Sequence, residues 1–190
     1  MLSVLLQVYL IILLVDFVSG VSHWAEDTFG DENTPLVGKT ILAPNEYHHK
    51  YPMAFLDKSW LESSSVLLVF GALLLLIASL DGEIGWQVIF FVAFGVNTNQ
   101  IHKWSHMRPR KVPWIVRQLQ RCRILQTQKH HLKHHLKPRN TNFCVVTNHL
   151  NYLLDKLGFW RQLEYFLVPL LGAPRREDLI KAGLTKSNVS

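Results

Sequence analysis

VLLVFGALLLLIASL (residues 66–80), DGE (81–83) and IGWQVIFFVAFGV (84–96) follow one another without a break. Each apolar run is somewhat short of the roughly 20 residues that cross a bilayer, but flanking Ser, Thr, Asn and Trp residues can extend it to that length. Core helices of a soluble protein would look similar one at a time; two abutting as a hairpin favour the membrane. Working outward, Leu2 to Val15 is apolar apart from Ser3 and Gln7, and the pattern can continue to about Val21 through Asp16 and Ser19. A secretory signal would carry a basic segment ahead of this run, and Asp16 stands where its small residues should begin, so the run reads as a retained span. The expectation is an all-α integral membrane protein with three membrane helices, or four if a later amphipathic stretch also enters the bilayer.

Charge placement orients these spans. The 190 residues include 20 Lys and Arg against 14 Asp and Glu, a net charge of +6 and a pI near 9.4. No basic residue precedes Lys39 and none lies between Lys58 and Lys103, while the hairpin tip carries Asp81 and Glu83. By the positive-inside rule His23 to Trp60 and everything after Asn99 are cytoplasmic, with the N-terminus and the tip outside. That places all ten histidines on one side. Basic residues beside spans are explained by topology and anionic headgroups, and no nucleic-acid motif accompanies them, so no nucleic-acid partner is expected. A compact chain without a transit peptide fits a bacterial inner membrane.

Between the first run and the hairpin, His23 to Ser59 holds Gly30, Pro35, Gly38, Pro44 and Pro52, too many turn formers for one helix. Val112, Ile115, Val116, Leu119 and Cys122 form a helical stripe with Arg110, Arg117 and Arg121 opposite, which suits a helix in the headgroup region or one packed on the cytosolic side. A second stripe, Leu153, Leu157, Trp160, Leu163, Leu167 and Leu171, lies on the membrane or dips into it. From Arg175 onward the chain is polar, which divides it into a membrane domain over 1–174 and a loose tail over 175–190. Cys122 and Cys144 form no C-x-x-C pair and indicate neither a disulfide nor a thiolate metal site.

The histidines cluster at the ends of the apolar stretches. His102 and His106 are four apart, as are His130 and His134 and also His131 and His135; His48 and His49 are adjacent, and His23 follows the first run. On a helix a four-residue spacing stacks two imidazoles on one face, where both can reach one metal ion. An ion takes three or four ligands, so His23, His48, His49, His102, His106, His131, His134 and His135 suffice for two ions of about four each. His149, standing alone, reads as an ordinary hydrogen-bonded residue. Imidazole suits Zn, Cu, Fe and Ni. A histidine-only pair of metals at a bilayer surface suits O2-dependent attack on an unactivated C–H bond of a lipid, because no side chain can abstract that hydrogen; iron fits best. The non-enzyme alternative is a histidine-rich metal-binding protein or transporter, for which Val66 to Leu80 offers only Ser79 as an ion path.

Several ordered motifs carry a resemblance to a known family. Asp16-Phe17-Val18-Ser19-Gly20, His23-Trp24, Asp27-Thr28-Phe29-Gly30, His48-His49, N-Q-I-H-K-W-S-H from Asn99 to His106, K-H-H-L-K-H-H from Lys129 to His135, Asn142-Phe143-Cys144 and the stretch from Leu150 to Glu164 closely resemble the Kua family of lipid desaturases. That family includes the plasmanylethanolamine desaturases of animals, their bacterial counterpart CarF and a plastid desaturase acting on phosphatidylglycerol. The resemblance implies a non-haem di-iron enzyme that uses O2 and two electrons to remove two hydrogens from a lipid chain. It makes the eight histidines the iron ligands, Asp27 a partner of His23 or a direct ligand, and His130 an outer neighbour. The Asn99 to His106 stretch resembles the plasmanylethanolamine branch, whose product is the vinyl ether of plasmalogens; an acyl-lipid desaturase or a lipid hydroxylase on the same scaffold is the alternative. Asp16, two turns deeper than His23 on the same face, would orient that histidine or bind a headgroup, and Arg108, Arg110 and Lys111 are candidates for a phosphate. Asn99 and Trp104 would pack around the site. With no cytochrome-like or ferredoxin-like segment in the chain, the electrons come from a separate protein, cytochrome b5-like or ferredoxin-like.

Overall fold

The Ser3 hydroxyl accepts a hydrogen bond from the Leu6 N–H at 3.3 Å and starts α1, Val4–Thr28. This segment has no proline and one glycine, so the helix runs past the end of the apolar run and carries His23 and Asp27 on its last two turns. The computed structural model describes residues 3–80 and 82–183, and among these there are ten α-helices and no strand. After α1 come α2 (Ala43–Lys50), α3 (Trp60–Leu80), α4 (Trp86–Gly95), α5 (Thr98–His106), α6 (Trp114–Arg121), α7 (Gln128–His135), α8 (His149–Lys156), α9 (Phe159–Leu171) and α10 (Arg176–Lys181). A π-helical turn over Gly38–Leu42 leads into α2 and a 3-10 turn over Pro52–Asp57 follows it, so the turn-rich connector holds one short helix.

Two helices, α1 and α3, are long and apolar enough to cross a membrane. At 1.5 Å per residue they extend about 37 and 32 Å, against roughly 30 Å of hydrocarbon. Their outward side chains are strongly apolar: Leu5 is 81% exposed and Leu80 78%. The third apolar run, expected as a further span, forms only the ten residues of α4. It stops where Asn97 turns its side-chain amide back onto the Ala93 carbonyl and Thr98 its hydroxyl onto that of Gly95, both at 2.9 Å, before α5 resumes. α4 packs between α1 and α3, and the Asn97 side-chain oxygen accepts from the Trp60 indole at 3.0 Å. Asp81, in the hairpin tip, lies outside the described residues.

One irregular segment, residues 141–148, is almost wholly buried although it forms neither helix nor strand. Buried backbone polar groups need partners, and side chains supply them. Asp16 accepts from the N–H groups of Val146 (2.8 Å) and Thr147 (3.0 Å) and from the Thr147 hydroxyl (2.6 Å). Asn151 bonds both the N–H and the C=O of Cys144, and Gln126 donates to the same carbonyl at 2.6 Å. Asp16, fully buried, therefore neither orients His23 nor meets a headgroup: its carboxylate holds this segment against α1. The segment runs along α1 as far as His149, whose Nδ1 is 3.2 Å from the Tyr9 hydroxyl. Tyr9 is about four turns, roughly 21 Å, from His23, so His149 stands apart from the nine histidines gathered at the other end of α1.

Three further expectations change. The apolar stripe from Leu153 to Leu171 is not one helix, because Gly158, at a φ of +62°, ends α8 and redirects the chain into α9. Leu153 and Leu157 consequently face outward while Trp160 is buried against Trp24 and Phe143. In α6 the buried side is Val116 with Val112 just before it, and Ile115 and Cys122 of the expected stripe are exposed. Nor is the chain loose from Arg175. That guanidinium pairs with Glu164 (3.1 Å) and Asp178 (2.7 Å), and Arg176 with Glu46 (3.0 Å) and the Glu26 and Gly30 carbonyls (2.6 and 2.8 Å), so α10 is docked on the end of α1. The tail residues 184–190 lie outside the described residues.

Candidate metal centre

Four helices converge at the C-terminal end of α1. α1 brings His23 and Asp27, α2 brings His48 and His49, α5 brings His102 and His106, and α7 brings His131, His134 and His135. The Thr127 hydroxyl caps α7 by accepting from the His130 N–H at 3.3 Å, which sets the start and hence the facing of its three histidines. Asn99 donates to the Ser63 carbonyl at 2.6 Å and ties α5 to the start of α3, while Trp104 packs in the core beside Val112 and Val116.

The side chains sort into two adjoining groups. His48, His102, His106, His131 and His135 form one, and His23, Asp27, His49 and His134 the other; in each, one ligating atom per residue lies within 4.8 Å of all the rest. In the first group the Nε2 atoms of His102 and His131 are 2.8 Å apart, those of His131 and His135 3.0 Å, and those of His102 and His106 3.2 Å. Imidazole nitrogens bound at about 2.0–2.1 Å to one ion stand roughly 2.9–3.4 Å from each other for right-angle to tetrahedral arrangements. The observed spacing fits one ion held between them. In the second group the Asp27 carboxylate is 2.9 Å from His49, 3.2 Å from His134 and 4.0 Å from His23, each through Nε2. The rings of His49 and His135, 4.8 Å apart, join the two groups.

Tautomers are set from outside the groups. His134 Nδ1 is 2.9 Å from the Thr141 carbonyl and His23 Nδ1 3.2 Å from that of Phe143. A neutral imidazole donating through Nδ1 keeps its lone pair on Nε2, the atom aimed at Asp27. Those Nε2 atoms of His23 and His134 and one Asp27 oxygen are buried without a hydrogen-bond partner, as are both ring nitrogens of His48. Unpaired buried acceptors are costly unless a ligand uses them; the residues present fit metal ions. Burial, reinforced by neighbouring imidazoles, pushes His106 down to about 4 and His135 down to about 2, and lowers His48, His102 and His131 as well. These rings are therefore neutral at pH 7, as ligation requires.

All eight histidines singled out in the sequence, with Asp27, meet here, but not as two histidine-only sets of four: five imidazoles form one group, and three with a carboxylate form the other. Asp27 lies among the ligating atoms of the second group and within hydrogen-bond distance of His49. Its other contact is Asn45, whose amide donates to it at 2.6 Å. Asn45 was missed, although it precedes His49 by one helical turn and so shares its face. His130 faces away, 3.2 Å from the Asn151 amide and against the Tyr152 ring, and touches neither group. Arg108 lines a separate cleft, whereas Arg110 is exposed and lines neither of the two main cavities.

No solved structure matches the chain. Among curated proteins, plasmanylethanolamine desaturase 1 of Mus musculus is 37% identical over 180 residues, 88% of this chain and 66% of the mouse protein. A probable fatty acid desaturase of Acanthamoeba polyphaga mimivirus is 33% identical over 91% of this chain and 87% of its own length. The chloroplastic fatty acid desaturase 4 of Arabidopsis thaliana is 34% identical over 86% of this chain and 51% of the plant protein. The chain thus spans less than two thirds of the mouse relative and about half of the plant one. These relatives are named as desaturases, which are oxidoreductases. With the family model for the lipid desaturase domain matching residues 12–178, from within α1 into the docked α10, the chain belongs to the lipid desaturase domain family.

Proposed function

We propose that this protein is a membrane-bound, O2-dependent lipid desaturase with two iron ions, five imidazoles holding one and His23, Asp27, His49 and His134 the other. The observation that carries the reading is the pair of buried donor groups side by side at the end of a helix of membrane-spanning length. What two such ions supply when bound is the removal of hydrogen from an unactivated C–H bond with O2, chemistry no side chain performs. The chain's own residues do the rest. The carbonyls of Thr141 and Phe143 hold two imidazoles in the ligating tautomer, Asn45 steadies Asp27, and burial keeps the rings neutral and water away.

The substrate is a phospholipid reaching the site from the bilayer. The relative named for plasmanylethanolamine favours 1-O-alkyl (plasmanyl) lipids and a vinyl-ether product; those named fatty acid desaturases support acyl chains as the second reading. The placement of Lys and Arg supports a cytoplasmic position for the donor groups. The two electrons come from a separate donor protein.

The test is lipid mass spectrometry on a plasmalogen-free host fed an alkyl-ether precursor and expressing either the protein or His102→Ala. Loss of two hydrogens to give an acid-labile vinyl ether, absent in the variant, is the expected result. New double bonds confined to acyl chains would move the assignment to the second reading, and an oxygenated product would make the protein a hydroxylase.

A further inference from the structure

A cleft of about 1150 Å³ lies between the α2 to 3-10 segment on one side and α5 with the start of α6 on the other. Trp104, Met107 and Met53 line it together with four cations, Lys50, Lys103, Arg108 and Lys111; Asp57 is the single acid among the described lining residues. Apolar side chains beside a cationic rim suit an amphiphile with an anionic head. The larger cavity, about 1310 Å³, opens on Asp27 but mixes Glu46 and Glu164 with Arg139 and Arg175, and so shows no comparable charge preference.

Lys103 is the decisive residue. It is only 7% exposed, its ammonium donates to the Lys58 carbonyl and stands 5.9 Å over the Phe55 ring, and among the described residues no carboxylate comes within ion-pair distance of it, Glu62 at the start of α3 acting on it only through space. An ammonium has three N–H donors, of which the Lys58 carbonyl takes one, and a buried charge without a directly hydrogen-bonded anion is costly. The same Phe55 ring packs 5.0 Å from His48 and 5.2 Å from His102, so one aromatic ring separates this cation from the five-imidazole group. The cleft also sits where a bilayer interface would fall: Pro113 in its lining leads into Trp114 and Ile115, 68% and 63% exposed, and Lys58 precedes Trp60 at the start of α3.

We infer that this cleft is the phosphate subsite of the lipid substrate, with Lys103 as the buried contact and Lys50, Arg108 and Lys111 at the rim. Phe55 then sets how the chain passes from the phosphate to the histidines. The inference rests on the reading of the protein as an enzyme of membrane phospholipids, so its test does not use turnover.

The full chain in detergent is titrated with a 1-O-alkyl-2-acyl phosphatidylethanolamine and with the corresponding 1-O-alkyl-2-acylglycerol, which lacks the phosphate, and bound lipid is counted by native mass spectrometry. The wild type should hold the phospholipid about tenfold or more tightly than the glycerol, as charge-assisted contacts of this kind imply. Lys103→Gln and the double variant Arg108→Gln/Lys111→Gln should each erase that preference, leaving metal content and glycerol binding unchanged. Equal affinity of the wild type for the two lipids, or a preference intact in the double variant, overturns the inference; the double variant decides if Lys103→Gln fails to fold. Displacement of the phospholipid by millimolar inorganic phosphate would make the cleft a general anion site and also overturn it. A wild type that prefers the phospholipid yet desaturates nothing would count against the desaturase reading alone.

Discussion

At the scale of single residues, Gly20 shows how closely α1 meets the buried 141–148 segment. A methyl group there would stand 2.6 Å from Cys144 Sγ and 3.3 Å from the Cys144 Cα. Gly20→Ala should cost roughly 1–3 kcal/mol by overpacking, read as a lowered melting temperature, and Cys144→Ala in the same chain should recover part of it by removing the nearest atom. A Gly20→Ala protein that melts with the wild type would contradict this packing. Asp16 and Asp27 show what was legible at this scale. Asp27, four residues after His23, was readable as a partner or ligand because helical spacing alone puts it beside that histidine. Asp16 was readable only as an acid inside a span, since its partners, Val146 and Thr147, are 130 residues away in sequence.

Among the elements, α7 is the one whose placement decides the centre, because it supplies three histidines split between the two groups. Its facing rests on the Thr127 cap and on the tautomer-setting carbonyl of Thr141 beyond its end. Thr127→Ala should destabilise the protein by about 1 kcal/mol, a fall in melting temperature of roughly 2–4 °C for a chain of this size. Thr127→Ser, which keeps the hydroxyl, should restore it; equal melting of the Ala and Ser variants would show that the cap does not matter. The His131 to His135 spacing made this helix readable in advance. The break between α8 and α9 was not, because the Leu153 to Leu171 stripe continues in register across Gly158, and the left-handed conformation there shows only in the backbone. α10 escaped for a different reason: a polar segment is indistinguishable from a solvated tail until Arg175 meets Glu164 in the preceding helix and Arg176 meets Glu46, 130 residues away.

For the molecule as a whole, the buried imidazoles couple stability to pH. His106 and His130 are pushed down to about 4, and His48, His49, His102, His131 and His135 are lowered too, burial being the main cause in each. The folded protein thus binds fewer protons than the unfolded chain, whose histidines titrate near 6.5, so metal-free stability is fully present above about pH 6.5 and falls as pH drops from there toward about 4. Thermal melts of chelator-treated protein from about pH 8 to about pH 4.5 check this, and bound metal should raise the whole curve while the rings stay neutral; a melting temperature flat across that range would contradict it. By itself the sequence determined what local periodicity and composition encode: helices, apolar runs of near-spanning length, and the residues that could ligate metal, because the apolar runs and the four-residue histidine spacings are contained within single elements. Only the tertiary structure decided which histidines stand together, that a carboxylate lies in the second group, and that Asp16 anchors a buried loop. Each of these depends on side chains and backbone groups brought together from distant parts of the chain, where burial makes every unpaired polar atom demand a partner.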